Sequence, residues 1–234
     1  QAFAASSPPD PPLGFTTSRG GGMAAWNADG YVKVNARAPA AAGGAWSAPK
    51  VPDVGGAGAA TSTGNPAAAR GGSGAAAVAW ATVGTRYVAA KLVVAVLAPG
   101  GAAFGAPAAV GAGASDVALA VDCAGSVTLA FSNGTVWVGT LPGTPGAGQC
   151  TGAPASRPAA GSSWPAPLAP LGPGFSVRLA SNDAGAALAV WQAPGGAGFM
   201  AALRPAGGAW GAAALVVPGQ AFGATPLLDA AGRP

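Results

Sequence analysis

This sequence predicts an all-β chain of repeated units, a β-propeller of about four to five small blades, and three observations lead there. A short pattern recurs along the chain, strand-length apolar segments alternate with turn residues, and glycine and proline break every window that a helix would need. The repeating unit is a small-residue strand, a turn containing Asp or Gly, a strand ending in an aromatic, and a third strand. It closes on a small-residue lead, an aromatic and a proline. Several short strands per repeat, recurring every roughly 40–60 residues, suggest propeller blades.

Each part of the unit can be followed through the copies. The aromatic ending the second strand is Trp26, Trp80, Phe131 and Trp191, and the one opening the last strand is Trp46, Phe104, Trp164 and Trp210. The turn between the first two strands reads Asp122-Cys123-Ala124-Gly125, Asp183-Ala184-Gly185 and Asp229-Ala230-Ala231-Gly232. Asp starts such a turn by accepting a bond from its own backbone, and Gly supplies the positive φ that ends it. On this alignment Asp122, Asp183 and Asp229 are equivalent, and the second copy departs, with Arg70-Gly71-Gly72-Ser73-Gly74 at the turn. After a Pro-rich arm over residues 1–13, a single repeat domain covers 14–234. Its copies lie at about 14–55, 62–112, 115–172 and 174–218, with a partial one at 222–234.

Strands are preferred to helices on local grounds. Ser126–Phe131 and Thr135–Val138 flank Asn133-Gly134, a strong hairpin signal. The 40 glycines and 23 prolines cost about 1 and 3 kcal/mol each in a helix interior, which defeats the helical tendency of the many alanines. The apolar run 92–98 stops at Pro99-Gly100, far short of the roughly 20 residues a membrane-spanning helix needs.

Composition sets further bounds. The 50% apolar content is mostly alanine, so the core must be thin, with aromatics as its large fillers. Charged residues are 8% of the chain and the net charge of +4 is scattered without a stripe, so there is no nucleic-acid footprint. The two cysteines, Cys123 and Cys150, bracket a Gly/Pro-rich insertion over 142–163. A disulfide between them is the expectation, and it implies an oxidising compartment. The N-terminus, Gln1-Ala-Phe-Ala-Ala-Ser-Ser-Pro-Pro, reads as a mature end after signal removal, so the expected location is secreted or extracellular. Asn133-Gly134-Thr135 fits a glycosylation acceptor, although Asn-Gly is also simply a good turn.

Asp-Ala-Ala-Gly-Arg at 229–233, Ala-Leu-Ala-Val-Trp at 187–191 and Leu-Arg-Pro-Ala-Gly-Gly-Ala-Trp at 203–210 resemble repeats of secreted, propeller-like proteins of GC-rich, chiefly actinobacterial, bacteria. The resemblance spans about residues 14–234 and implies fold and export, with almost no biochemistry. Ser181-Asn182-Asp183-Ala184-Gly185 is similar to the start of a sialidase-type Asp box, with Ala187-Leu188 where Thr-Trp would complete it. In that family the box is a structural turn, so the likeness implies fold only. Two readings of the last segment stay open. It completes the first blade and closes the ring, or it continues into a longer array or a neighbouring subunit. In the second case residues 13–19 form the first blade's own first strand.

The search for chemistry turns on absences. There is no His, and all seven acids are Asp, which removes a Ser-His-Asp triad and His-containing metal sites. Two Asp could hydrolyse a glycoside, but turn chemistry accounts for Asp122, Asp183 and Asp229, Asp29-Gly30 reads as a hairpin turn between the second and third strands, and Asp10, Asp53 and Asp116 fall in the arm or linkers. No catalysis, cofactor or metal is therefore expected. The leading expectation is a binding module for carbohydrate or a cell-surface partner. Trp137, Trp164, Arg157, Tyr31 and Tyr87 are its candidate contacts because aromatic faces stack on sugar rings. The alternative is a structural subunit of an extracellular assembly, which an exposed apolar edge would favour.

Overall fold

The computed structural model describes residues 13–16, 22–28, 31–37, 66–72, 74–82, 91–98, 104–142, 164, 168–220 and 223–234. Every strand pairing among them is antiparallel, and no sheet among them closes into a barrel. The first sheet is a three-stranded meander of β1 (Leu13–Thr16), β2 (Gly22–Ala28) and β3 (Tyr31–Arg37). The second has four strands, β4 (Ala67–Arg70), β5 (Ala76–Ala81), β6 (Lys91–Leu97) and β7 (Ala108–Ala112).

The remaining seven strands form one continuous sheet in chain order. They are β8 (Asp116–Val121), β9 (Val127–Ser132), β10 (Gly134–Leu141), β11 (Ala169–Ser181), β12 (Ala187–Gln192), β13 (Gly198–Arg204) and β14 (Ala214–Pro218). The long β11 does two jobs. Residues 169–174 pair with β10, and 175–181 pair with β12 after a register break between Phe175 and Arg178. The break is pinned by side chains. Asp116 Oδ2 accepts from the Ser176 N–H at 3.0 Å, holding Ser176 at φ 55, and Ser132 Oγ donates to the Gly174 carbonyl at 2.5 Å. Asp116, expected in a linker, thus opens β8 and fixes the point where one meander becomes the next.

Alternation distributes each inner strand between two interfaces, because successive side chains of a strand face opposite ways. Ala68 of β4 packs with Met23, Val32 and Val34 of the first sheet, while Ala67 and Ala69 pack with Leu119, Leu129 and Phe131. Ala118 and Ala130 then face Val177, Ala189 and Trp191. The middle strands β5 and β9 are buried along their whole length, so they carry apolar or small residues at every position instead of alternating with polar ones. Alanine suits them because it lets adjacent sheets approach closely. The recurring aromatics Trp80, Phe131 and Trp191 fill the remaining volume, each at most 2% exposed.

Residues 223–234 form no strand. They lie on the far face of the last meander, where Ala224 and Leu228 pack against Leu188, Val190 and Phe199. The reading in which the C-terminal strand fills the first position of the first blade is corrected, because β1 already pairs with that edge of β2. The segment is held elsewhere by Asn182, whose Nδ2 donates to the carbonyls of Asp229 (3.0 Å) and Ala230 (3.3 Å).

Gly174 is the tightest point in the β11 crossing. Its φ is 154, and a Cβ there would stand 2.3 Å from Trp191 Cδ1 and 2.5 Å from the Gln192 carbonyl. Replacing Gly174 with Ala should destabilise the chain by about 3 kcal/mol, combining overpacking with positive-φ strain. Denaturant unfolding followed by tryptophan fluorescence measures this. A change below about 0.5 kcal/mol would show that the crossing relaxes freely.

Candidate functional site

The element with chemical potential is a five-residue turn that follows β4, β8 and β11 and recurs in the C-terminal segment. Four of these turns share one hydrogen-bond scheme. The N–H of the first residue donates to the carbonyl of the fifth, and the N–H of the fourth donates back to the carbonyl of the first. The pairs are Gly71/Ala75 with Gly74, Asp122/Ser126 with Gly125, Asn182/Ala186 with Gly185, and Asp229/Arg233 with Gly232. The fourth residue is always Gly, at φ 86, 81, 87 and 78, a left-handed conformation that only Gly adopts without penalty. In three of the turns a side-chain oxygen of the first residue accepts a second bond from the fifth residue's N–H. These are Asp122 Oδ1 from Ser126 (2.8 Å), Asn182 Oδ1 from Ala186 (2.9 Å) and Asp229 Oδ1 from Arg233 (2.8 Å).

This geometry corrects the equivalence drawn from the sequence. The partner of Asp122 and Asp229 is Asn182, and Asp183 stands one residue later. The Ser-Asn-Asp-Ala-Gly string hides this because either Asn or Asp can cap such a turn. The signal available was the offset to the turn glycine: Asp122 stands three positions before Gly125 and Asp229 three before Gly232, and only Asn182 stands three before Gly185. Asp183 is exposed and makes no hydrogen bond to a described residue. The turn leaves its carboxylate unengaged.

The turns sit shoulder to shoulder in chain order. A Cβ at Gly71 would meet the Asp122 carbonyl at 2.1 Å, one at Gly185 would approach Asp122 Oδ2 at 3.1 Å, and one at Gly232 the Ala186 Cβ at 2.9 Å. The second copy therefore starts its turn with Gly because the next turn occupies the space of a side chain. Together the turns surround an open cleft of about 380 Å³. Arg70, Gly71 and Gly72 come from one turn, Ser181, Asn182 and Asp183 from another, and Leu228, Asp229 and Ala230 from the last, with Val121 at the base of the fourth contributor. The cleft lining is about equally polar and apolar, with carboxylate, hydroxyl and guanidinium groups beside Val121, Leu228 and Ala230. Among the described residues there is no group of three or more metal-binding side chains.

Beneath the turns lies a buried polar clip that the sequence reading missed. Arg204 of β13, 8% exposed, donates to Thr140 Oγ1, to Thr128 Oγ1 at 3.3 Å and to the Gly185 carbonyl at 3.1 Å, with Trp210 at 5.7 Å from its guanidinium carbon. It ties β9, β10 and the third turn together. Its electrostatic neighbour is Asp122, also buried; burial raises the Asp122 pKa above the ordinary carboxylate value, against hydrogen bonds from Ser126 and the attraction of Arg204. Burial likewise lowers the Arg204 pKa, opposed by Asp122.

The contacts proposed from sequence do not gather at this cleft. Trp164 is buried, 8% exposed, in the cluster between the second and third meanders, and Trp137 packs against the same cluster with its Nε1 donating to Asn133 Oδ1 at 3.1 Å. Asn133 is exposed at the β9–β10 turn. Tyr31 opens β3, while Tyr87 and Arg157 lie outside the described residues, as does Cys150. Cys123 is buried at the second position of its turn, 1% exposed. The equivalent residues Gly72, Asp183 and Ala230 line the cleft.

No family model and no curated protein matches the chain. Among solved structures it is similar to a protein of unknown function from Dyadobacter fermentans, at a TM-score of 0.53 and 12% identity, over 88% of this chain and 68% of that one. It is also similar to a Hadza microbial sialidase at a TM-score of 0.48 and 12% identity, over 85% of this chain. The match spans 45% of the sialidase's length. At this identity the first likeness is one of fold. The class defined by fold and site together is an all-β protein of stacked antiparallel meanders whose turns line an open cleft of mixed polarity. No helix among the described residues is long and apolar enough to cross a membrane.

Because the Asp122 pKa is raised in the folded state, the native chain binds the proton more tightly than the unfolded one. This contribution to stability is complete below about pH 4 and is lost as pH rises through the raised folded value. Asp122→Asn keeps the acceptor, as Asn182 does in its own turn, and removes the titration. Unfolding free energies measured every half unit from pH 4 to 7 should fall less with pH in the variant than in the parent. Identical slopes would mean that burial does not disturb this carboxyl.

Proposed function

We propose that the stacked meanders are blades of a β-propeller and that the protein is a non-catalytic binding module whose ligand seat is the turn-lined cleft. The repeated turn supports the blade reading, as does β11 passing from the last strand of one meander to the first of the next. Inner strands of successive meanders lie side by side, β1 with β4, β4 with β8 and β8 with β11. The observation that carries the binding reading is Asp183, a carboxylate that its own turn does not use, facing a cleft shared with Arg70 and Ser181. Adjacent acceptors and donors of this kind match the hydroxyls of a carbohydrate, each of which both donates and accepts. Asp183→Ala leaves the Asn182 cap intact. It should weaken glycan binding at least tenfold, about 1.4 kcal/mol, with an unchanged melting temperature. Glycan-array screening followed by calorimetry tests this; a ligand whose affinity ignores the substitution would remove the cleft as its seat.

A Cys123–Cys150 disulfide and an extracellular location belong to the same proposal, since such bonds persist in oxidising compartments. Peptide mapping without reduction should recover the two cysteine peptides linked. The second reading, a subunit of an extracellular assembly, is favoured by β14. It is the last strand of its sheet, and Leu215, Val216 and Val217 are 51%, 53% and 43% exposed. No charged residue occurs between Arg204 and Asp229, so this edge lacks the usual charge that discourages pairing. If β14 mediates assembly, light scattering should show concentration-dependent oligomers that Val216→Lys abolishes. A parent monomeric at all concentrations would leave the binding-module reading alone.

A further inference from the structure

The hairpin between β9 and β10 brings together, around one amide, the groups that a backbone cyclisation needs. Asn133 is exposed at its apex, followed by Gly134 at φ 100, where nothing stands within 4 Å of a would-be Cβ. The Asn133 side-chain oxygen accepts a hydrogen bond from Trp137 Nε1 at 3.1 Å. The Gly134 N–H donates to Ser132 Oγ at 3.3 Å, and that buried hydroxyl in turn donates to the Gly174 carbonyl at 2.5 Å. From this we infer that Asn133 is a site of self-catalysed deamidation, in which the fold assists both halves of the reaction.

The Gly134 nitrogen attacks Asn133 Cγ, forming a five-membered succinimide. The N–Cγ bond forms as the Cγ–Nδ2 bond breaks, and the side-chain nitrogen leaves as ammonia with the proton from Gly134. Water then opens the ring at either carbonyl, giving aspartate or isoaspartate; nothing is oxidised or reduced. Charge builds on the side-chain oxygen as the tetrahedral centre forms, and the Trp137 indole N–H already points at that oxygen. The Gly134 N–H is polarised by its hydrogen bond to Ser132 Oγ, and its proton ends on the departing ammonia. Gly134 adds freedom of rotation and no side chain that would block approach.

The consequences are local and chemical. Aspartate lowers the net charge from +4 by one and turns the Trp137 contact into a charge-assisted bond. Isoaspartate inserts a methylene into the main chain within the loop closed by the Ser132–Val136 pair, so it loosens the start of the hairpin. Either product removes the amide that the Asn-Gly-Thr pattern would offer for glycosylation.

The test follows the full chain at neutral pH and 37 °C, reading the fraction of Asn133 converted by peptide mapping and isoaspartate by enzymatic methylation. The native chain should convert faster than the same chain held unfolded in urea, and Trp137→Phe should slow the native reaction roughly tenfold. The effect is below the hundredfold or more of a buried oxyanion donor because this site is open to water. Ser132→Ala should slow it as well, and the unfolded-state rates of both variants should match the parent. A native rate at or below the unfolded rate would overturn the inference, and so would a native rate that Trp137→Phe leaves unchanged.

Discussion

Gly71, Asp122, Asn182 and Asp229 each begin a five-residue turn whose fourth member is a glycine with positive φ. Much of the described fold depends on this small unit. It reverses the chain within a single hydrogen-bonded loop, and its tightness allows the next turn to lie directly against it. The contacts between turns are close enough to exclude a methyl group at Gly71. Adjacent turns are therefore too close for a side chain at that position. Between the sheets, the alanines of β4, β5 and β12 are buried among larger residues such as Leu119, Trp80 and Trp191.

A core made this way gains little from each alanine, since buried apolar area is what the hydrophobic effect rewards. The structure adds polar ties between meanders instead. Asp116 and Ser132 fasten the β11 crossing, Asn182 holds the last segment, and Arg204 joins β9, β10 and a turn carbonyl. Arg204 is the most demanding of these, because a buried guanidinium is tolerated only when its donors are used and a negative group lies near. Two threonine hydroxyls, a carbonyl, the face of Trp210 and the charge of Asp122 supply that environment. Its Nε has no partner among the described residues.

The same turns create the cleft as a by-product of their packing. The first position of each turn is tied to the fold by its hydrogen bonds, whereas the residue after it takes no part in that scheme. Gly72, Asp183 and Ala230 occupy that position around the cleft. A row of backbone-defined turns thus sets differing residues along one cleft.

Strand content, the hairpin at Asn133-Gly134 and the buried role of Trp80 and Trp191 were legible in the sequence, because alternation, turn chemistry and aromatic recurrence are local signals. The glycine at the end of each turn was legible for the same reason. Local pattern did not reveal that Asn182, and not Asp183, is the turn's cap, since both residues can do that work and only the hydrogen-bond register chooses between them. It did not reveal Arg204, whose partners come from strands 64 and 76 residues away. Nor did it place residues 223–234, whose affinity for the last meander rests on Asn182 and on an apolar face assembled from two strands. The sequence by itself determined the all-β character and the repeated turns, which arise from neighbours along the chain. Only the tertiary structure decided which turn residues face the cleft and which charge is buried, because burial is set by sheets that the chain brings together from far apart.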